Sequence, residues 1–402
     1  MPVIKLRAGR EKSLLRKHPW VYSGAVAEVE GDPKCGETVA IVDVQGEFLA
    51  WGAYSPVSKI RARVWSWMES ETIDDAFFYT HLKKSILVRD RVLADSRVDS
   101  LRLVHGESDG LPGLVVDRYA DAIVLQTLSC GIEFWLETIV NQVVELTKPK
   151  LVYERSDVHV RELEGLPRRK GVLYQASGRK GSGIPMYQIQ EYGLRFWVDV
   201  KEGQKTGFYL DQRENRKIVK QLSHGRRVLD CFSYTGGFSC SALSGEAESV
   251  VAVESSSGAL NLLVDNLELN ELPAEQVNCI EGDVFSILRT FRDERKQFDL
   301  IILDPPKFAP TFIKAKRAAR GYKDINLLAM KMLSDGGLLV TFSCSGGISQ
   351  ELFQKILAGA ALDARKNARI IKQLHQGVDH PIALNFPEGG YLKGFVIQVS
   401  DW

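Results

Sequence analysis

From about residue 188 onward the chain alternates short apolar, β-branched runs with helix-length stretches, and nothing else in the sequence limits its fold as tightly. Val228-Leu229-Asp230 precedes a helix that starts after Gly236-Gly237, and Val250 to Glu254 precedes a helix reaching Asn270. Gln276 to Glu281 leads to a helix over Val284 to Arg292, and Phe298 to Leu303 leads through a loop to a helix over Asp324 to Leu333. Gly337 to Ser343 leads to a helix over Ser349 to Ala364. This alternation predicts a parallel sheet covered by helices on both faces. The last two strands, near Ala368 to Leu374 and Tyr391 to Val399, have no helix between them and are expected to pair as an antiparallel hairpin.

In open α/β sheets ligands bind at the carboxyl ends of the strands. Four such ends carry an acid in succession. Asp230 is followed by Cys231-Phe232-Ser233-Tyr234-Thr235-Gly236-Gly237, where glycine permits a tight turn and a close backbone approach to a ligand. Glu254, followed by Ser255, comes 24 residues after Asp230, an offset suited to ribose hydroxyls. Asp283, followed by Val284, offers a carboxylate to an adenine amino group. Asp304 opens Asp304-Pro305-Pro306-Lys307-Phe308. A full GxGxxG is missing at the first turn, which argues against a dinucleotide site. Together the four ends resemble the nucleoside-binding side of class I S-adenosylmethionine methyltransferases.

The Asp304-Pro-Pro-Lys-Phe segment resembles the motif that holds the target base in base methyltransferases, and Thr341-Phe342-Ser343-Cys344-Ser345-Gly346 closes the next strand. In that fold the two strands are neighbours, so Asp304 and Cys344 are expected to face one pocket. Cytosine C5 is a poor nucleophile. A cysteine thiolate that adds to C6 makes C5 electron-rich, and the same sulfur can leave afterwards. Asp304 would bind or protonate N3 and favour the addition. The bland alternative for Cys344 is a small residue packed at a strand end; Cys231, Cys240 and Cys279 are given that reading.

Upstream, residues 1–68 read as short strands: Glu37 to Asp43, a turn at Gln45-Gly46, Glu47 to Tyr54, and Lys59 to Trp67 with Lys59, Arg61 and Arg63 on one face. Residues 69–187 read as a helix over Ala76 to Leu93, strands within Ser100 to Ser129, a helix near 132–147 and a strand over Leu151 to Glu154. Residues 165–185, rich in glycine and proline, are expected to be a loop. With 402 residues, more than one core is needed. Six scattered cysteines without a CxxC pair argue against a zinc site and a disulfide framework, which leaves no metal expected and a reducing cytoplasm as the setting. Apolar runs such as Leu300 to Leu303 and Leu338 to Val340 are too short to span a bilayer, and the basic N-terminus lacks the apolar core of a secretory signal.

Net charge is only +1, so its distribution carries the information. Lys5, Arg7, Arg10, Lys12, Arg16 and Lys17 face one acid, Glu11; Arg168, Arg169, Lys170, Arg179 and Lys180 have no acid among them in sequence; nor do Lys307, Lys314, Lys316, Arg317, Arg320 and Lys323. Such runs are commonly solvated surface; three of them, one beside the expected site, suit contacts with nucleic-acid phosphates.

Longer matches make the resemblance specific. Gly9 to Ala25, Gly106-Glu-Ser-Asp-Gly-Leu-Pro-Gly113, Lys205-Thr-Gly-Phe-Tyr-Leu-Asp-Gln-Arg213, Phe232 to Phe238, Arg320-Gly-Tyr-Lys-Asp-Ile-Asn326 and Phe342-Ser-Cys-Ser-Gly346 resemble the bacterial 23S ribosomal RNA cytosine-C5 methyltransferases, over essentially the whole chain. The resemblance implies an N-terminal PUA domain (1–68), a central α/β domain (69–187) and a C-terminal Rossmann-like methyltransferase domain (188–402). It implies S-adenosyl-L-methionine as methyl donor, with S-adenosyl-L-homocysteine as product, and one cytosine of 23S rRNA as target. It also implies that Tyr209, Asp211, Gln212 and Arg213 help close the cofactor site, and it leaves a homodimer open. Related RNA cytosine-C5 enzymes often carry a second cysteine just after the Asp-Pro of the fourth strand. Here Pro306-Lys307 stands there, so the base that removes the C5 proton is not identified. Two alternatives stay open: an amino-group methyltransferase that uses Asp304-Pro-Pro without a thiol, and an RNA-binding assembly factor without turnover.

Overall fold

The computed structural model describes the whole chain except residues 93, 95, 96, 178–183 and 309–314, and except the side chains of 92 and 315–317. Arg179, Lys180 and Lys314, and the side chains of Lys316 and Arg317, therefore lie outside the described residues. The chain divides into two compact units: residues 1–190 with 198–210 and 378–389, and residues 191–197 with 211–377 and 390–402.

The first unit holds two sheets. Six short strands between Val3 and Ser66 form a mostly antiparallel sheet around Ile4, Leu6, Val39, Ile41, Ala62 and Val64, a β-rich module. A five-stranded sheet follows, from Ser100–His105 to Arg169–Gln175, with helices Asp75–Val92 and Leu136–Thr147 supplying its apolar cover. Two expectations are corrected here. The segment read as a loop over 165–185 contains the strand Arg169–Gln175, which pairs antiparallel with Leu151–Ser156; Arg169 is fixed there by Glu154 at 2.6 Å. Long-range pairing overrides the local glycine signal. Cys35 and Cys130, 95 residues apart, are joined as a disulfide with Cα atoms 5.5 Å apart. The approach of the two segments is close: a Cβ on Gly36 would stand 2.3 Å from the Cys130 carbonyl oxygen. Spacing along the chain holds no trace of this pair.

In the second unit seven strands form one sheet. In chain order they are Arg227–Cys231, Ser249–Glu254, Val277–Glu281, Phe298–Leu303, Leu333–Ser343, Asn367–Leu374 and Lys393–Ser400. Their spatial order is third, second, first, fourth, fifth, seventh, sixth. The first five run parallel, and the seventh is antiparallel to both neighbours, as the missing crossover helix predicts. Leu229, Val253, Ile301, Leu303 and Leu339 are buried, since strands covered on both faces need apolar residues throughout. The order reverses between the first and fourth strands, the switch point where a ligand crevice opens.

Candidate active site

At that switch point the next-to-last residue of the first strand is Asp230, which is fully buried. The Ser239 hydroxyl donates to its Oδ2 at 2.7 Å, while Oδ1 has no partner. Burial pushes the carboxyl up to about 7, with the Ser239 bond opposing and the Asp304 and Glu254 charges adding to the shift. The turn that follows is strained, with Phe232 and Tyr234 at φ of 63° and 49°. Such backbone costs about 1–3 kcal/mol per residue and clusters at functional sites. Gly236 is obligatory in this turn, because a Cβ there would stand 2.4 Å from Leu263 Cγ. Ser233 Oγ and Thr235 Oγ1 are likewise buried without a partner. Three orphaned polar atoms around one turn are unusual in a folded interior and suit a polar ligand.

Glu254 ends the second strand at 8% exposure. Its Oε1 accepts from the amides of Ser255 and Ser256 at 2.7 and 3.1 Å and from the Ser255 hydroxyl; Oε2 accepts from the Tyr234 amide at 3.0 Å. The carboxylate thus ties the glycine turn to the second strand and keeps capacity on Oε2 for a ribose hydroxyl. Asp283 caps the helix Val284–Asp293, its Oδ2 accepting from Ser286 N at 2.9 Å. Gln212 donates to Asp304 Oδ2 at 2.9 Å and is itself held by Asn215 at 2.6 Å. Asp211 accepts from the Tyr391 hydroxyl at 2.7 Å, and Arg213 is fully buried. Tyr209 belongs to the first unit, where Lys205 Nζ stands 4.3 Å from its ring centroid.

The fourth and fifth strands are parallel neighbours with Leu303 opposite Thr341, so Asp304 and Cys344 leave the sheet on the same edge. Cys344 is partly exposed, whereas Cys231 and Cys240 are fully buried and burial pushes their thiols up. The Tyr322 hydroxyl stands 3.0 Å from Ser345 Oγ and feels both Cys344 and Asp304; burial, above all, raises it to about 12. Pro305 is buried and Lys307 exposed, but Phe308 packs on Tyr322 and Phe285, with centroids 4.8 and 5.8 Å away.

The basic groups separate. Arg7, Arg10, Lys12, Lys59 and Arg320 are exposed. Arg61 donates to the Ser55 carbonyl at 2.9 Å, and Lys323 pairs with Asp363 at 2.7 Å. Arg63 does not share an open face with Lys59: it is buried, 2.8 Å from Glu164. Arg168, Arg169 and Lys170 each meet an acid outside their own run, Glu162, Glu154 and Glu202. Sequence reasoning passed over Ser239, Tyr322 and Lys393. The last was detectable as a lone lysine inside the apolar run Leu392 to Val396. Among the described residues no group of three His, Cys, Asp or Glu side chains is placed to hold a metal, and no helix is long and apolar enough to cross a membrane.

Residues 174–370 match the family model of S-adenosylmethionine-dependent methyltransferases, and residues 4–67 match that of PUA-like domains. The chain is 48% identical over 394 residues to the ribosomal RNA large subunit methyltransferase I of Erwinia tasmaniensis, covering 98% of each chain. It is 48% identical over 395 residues to the protein of that name in Escherichia coli O139:H28, again covering 98% of each. Among solved structures it resembles a chain assigned as a methyltransferase and complexed with SAH, with a TM-score of 0.85 at 21% identity over 99% of this chain and 100% of that one. It also resembles a Streptococcus mutans chain assigned as a SAM-dependent methyltransferase, with a TM-score of 0.84, 21% identity and the same coverage.

Proposed function

The chain belongs to the ribosomal RNA large subunit methyltransferase I family, and on that premise we propose that it methylates C5 of one cytosine in 23S rRNA through a covalent adduct on Cys344. The observation that carries the reading is the arrangement of strand ends: the neighbouring fourth and fifth strands lead into Asp304 and Cys344 at one end of the sheet, next to a first-strand turn lined by orphaned polar atoms.

S-adenosylmethionine supplies an electrophilic methyl group. The residues that would hold it fit. The partnerless oxygen of Asp230 suits an ammonium, Oε2 of Glu254 suits a ribose hydroxyl, and Asp283 with Val284 borders the adenine position. Phe232, Tyr234, Thr235, Gly236, Gly237 and Ser255 frame it through the backbone of the two turns, and Asp211, Gln212 and Arg213 complete it. On the base side, the Cys344 sulfur forms a bond to C6 and the displaced electron pair moves toward N3, where Asp304 donates or shares a proton. C5 then takes the methyl group, loses its proton, and the S–C6 bond breaks to restore the ring. Gln212 keeps Asp304 turned toward the pocket. Lys307, Arg320, Lys323 and the segment with Lys314, Lys316 and Arg317 serve RNA phosphates beside the target, with Pro305 and Phe308 shaping the base pocket. Arg7, Arg10, Lys12, Lys59 and Arg61 serve phosphates of the same RNA.

Mapping modified bases in rRNA from cells with and without the protein tests this. Loss of one 5-methylcytosine is expected; loss of a base methylated on an exocyclic nitrogen would replace the reading with the amino-group alternative.

A further inference from the structure

Lys393 stands at the Cys344 strand end without a role in the chemistry above. It lies on the seventh strand in register with Ser343, is 8% exposed, and donates from Nζ to the Ser345 carbonyl at 2.9 Å. A lysine ammonium is strongly hydrated, and removing it from water without a counter-charge is costly. Among the described residues no carboxylate lies within 4.0 Å of this ammonium. The anionic group that favours its charged form is Cys344.

Among the described residues, the neighbouring elements bring the following groups to this end of the sheet. Tyr322, from the helix Ala315–Met332, reaches Ser345 with a hydroxyl that stays neutral. Asp304, which acts on Tyr322, and Lys307, which acts on Lys393, follow the fourth strand. The helix Gln350–Ala364 presents Phe353, 5.5 Å from the Tyr322 ring, and the sixth strand presents Leu374 opposite Gly394. Burial lowers Lys393 to about 8, a Cys344 thiolate raises it and the Lys307 cation lowers it. Lys393 is therefore still mostly cationic at neutral pH.

We propose that Lys393 is a positioning residue that keeps Cys344 in its thiolate form, its ammonium anchored on the Ser345 carbonyl beside the sulfur. The thiol proton goes to water when the pair forms, and Lys393 keeps its own protons. A free cysteine titrates near 8.5, and a fixed neighbouring cation brings that into the range of about 3.5–7.5. The nucleophile would then be charged before RNA arrives, with no separate base needed for its activation. This rests on the reading of Cys344 as the nucleophile.

The test is the pH dependence of Cys344 alkylation by iodoacetamide in the full-length protein, followed on the Cys344 peptide by mass spectrometry so that Cys279 is read separately. Wild type should reach half its limiting rate well below pH 8.5. Lys393→Met should move that midpoint up by at least one unit, with a rate at pH 7 about tenfold lower, and Lys393→Arg should restore most of it. A wild-type midpoint at or above 8.5 overturns the proposal without any variant. So does a Lys393→Met profile that superimposes on wild type. Alkylation needs no RNA, so the result is independent of the nucleophile reading. That reading fails separately, if Cys344→Ala still methylates cytosine.

Discussion

Replacing Asp230 with Asn should trade cofactor affinity for stability in a pH-dependent way. The carboxyl is fully buried, one oxygen has no partner, and burial chiefly raises it from 3.8 to about 7. Between those values the folded protein holds a proton that the unfolded chain has released. Cofactor-free wild type therefore loses stability as pH rises toward 7, and loses no more from this group above it. Each unit corresponds to about 1.36 kcal/mol, so the span from pH 5 to about 7 amounts to about 2–3 kcal/mol. Asn cannot ionise, and its carbonyl still accepts from Ser239. Its amino group takes the orphan position at a cost of about 1–3 kcal/mol that does not change with pH. Denaturant melts of both proteins without cofactor should show the difference moving in favour of Asp230→Asn by about 2–3 kcal/mol between pH 5 and pH 8. At pH 8, calorimetry should show weaker S-adenosylmethionine binding by the variant. A stability difference that is the same at both pH values would refute the reasoning.

Glu254→Gln should raise the dissociation constant for S-adenosylmethionine about tenfold or more, because a charged acceptor is worth about 1.5–3 kcal/mol; unchanged affinity by calorimetry removes Glu254 from the site. Replacing Arg7, Arg10 and Lys12 together with Ala should flatten the salt dependence of RNA binding by up to about 0.7–0.9 log units for each phosphate no longer neutralised, with cofactor affinity intact; an unchanged slope assigns the arm elsewhere. Arg63→Ala should instead lower stability, by about 3–5 kcal/mol if Glu164 is left buried and unpaired, without altering the salt slope; a changed slope at wild-type stability would return Arg63 to the RNA face.

The parts legible in the sequence are those fixed by neighbours in the chain. An acid at the end of an apolar strand, as at Asp230, Glu254 and Asp304, announces both the strand and the crevice beyond it, and the missing helix between the last two strands announces the antiparallel edge. Properties set by distant partners left no such mark. Arg63 alternates with apolar residues as a surface residue does, and its inward position rests on Glu164, 101 positions away, and Glu107. Arg168, Arg169 and Lys170 read as an unopposed basic run because their acids lie outside the run, six residues upstream for Arg168 and farther for the other two. Cys35 and Cys130 meet only because two segments of the first unit pack tightly at Gly36. At the site, Cys344 was visible from its motif. The groups that surround it, Tyr322 and Lys393, come from a helix and a strand that only the folded sheet brings there.

Trapping on RNA that carries 5-fluorocytosine at the target tests the covalent mechanism most directly. Fluorine at C5 cannot leave as a proton, so elimination stalls after methyl transfer and the enzyme stays bonded to C6. Wild type with S-adenosylmethionine should give a complex that survives a denaturing gel. Omitting the cofactor or substituting Cys344→Ala should abolish it, and Asp304→Asn should reduce it. No adduct from a wild-type enzyme that methylates the unmodified RNA, or methylation of cytosine by Cys344→Ala, would contradict the account.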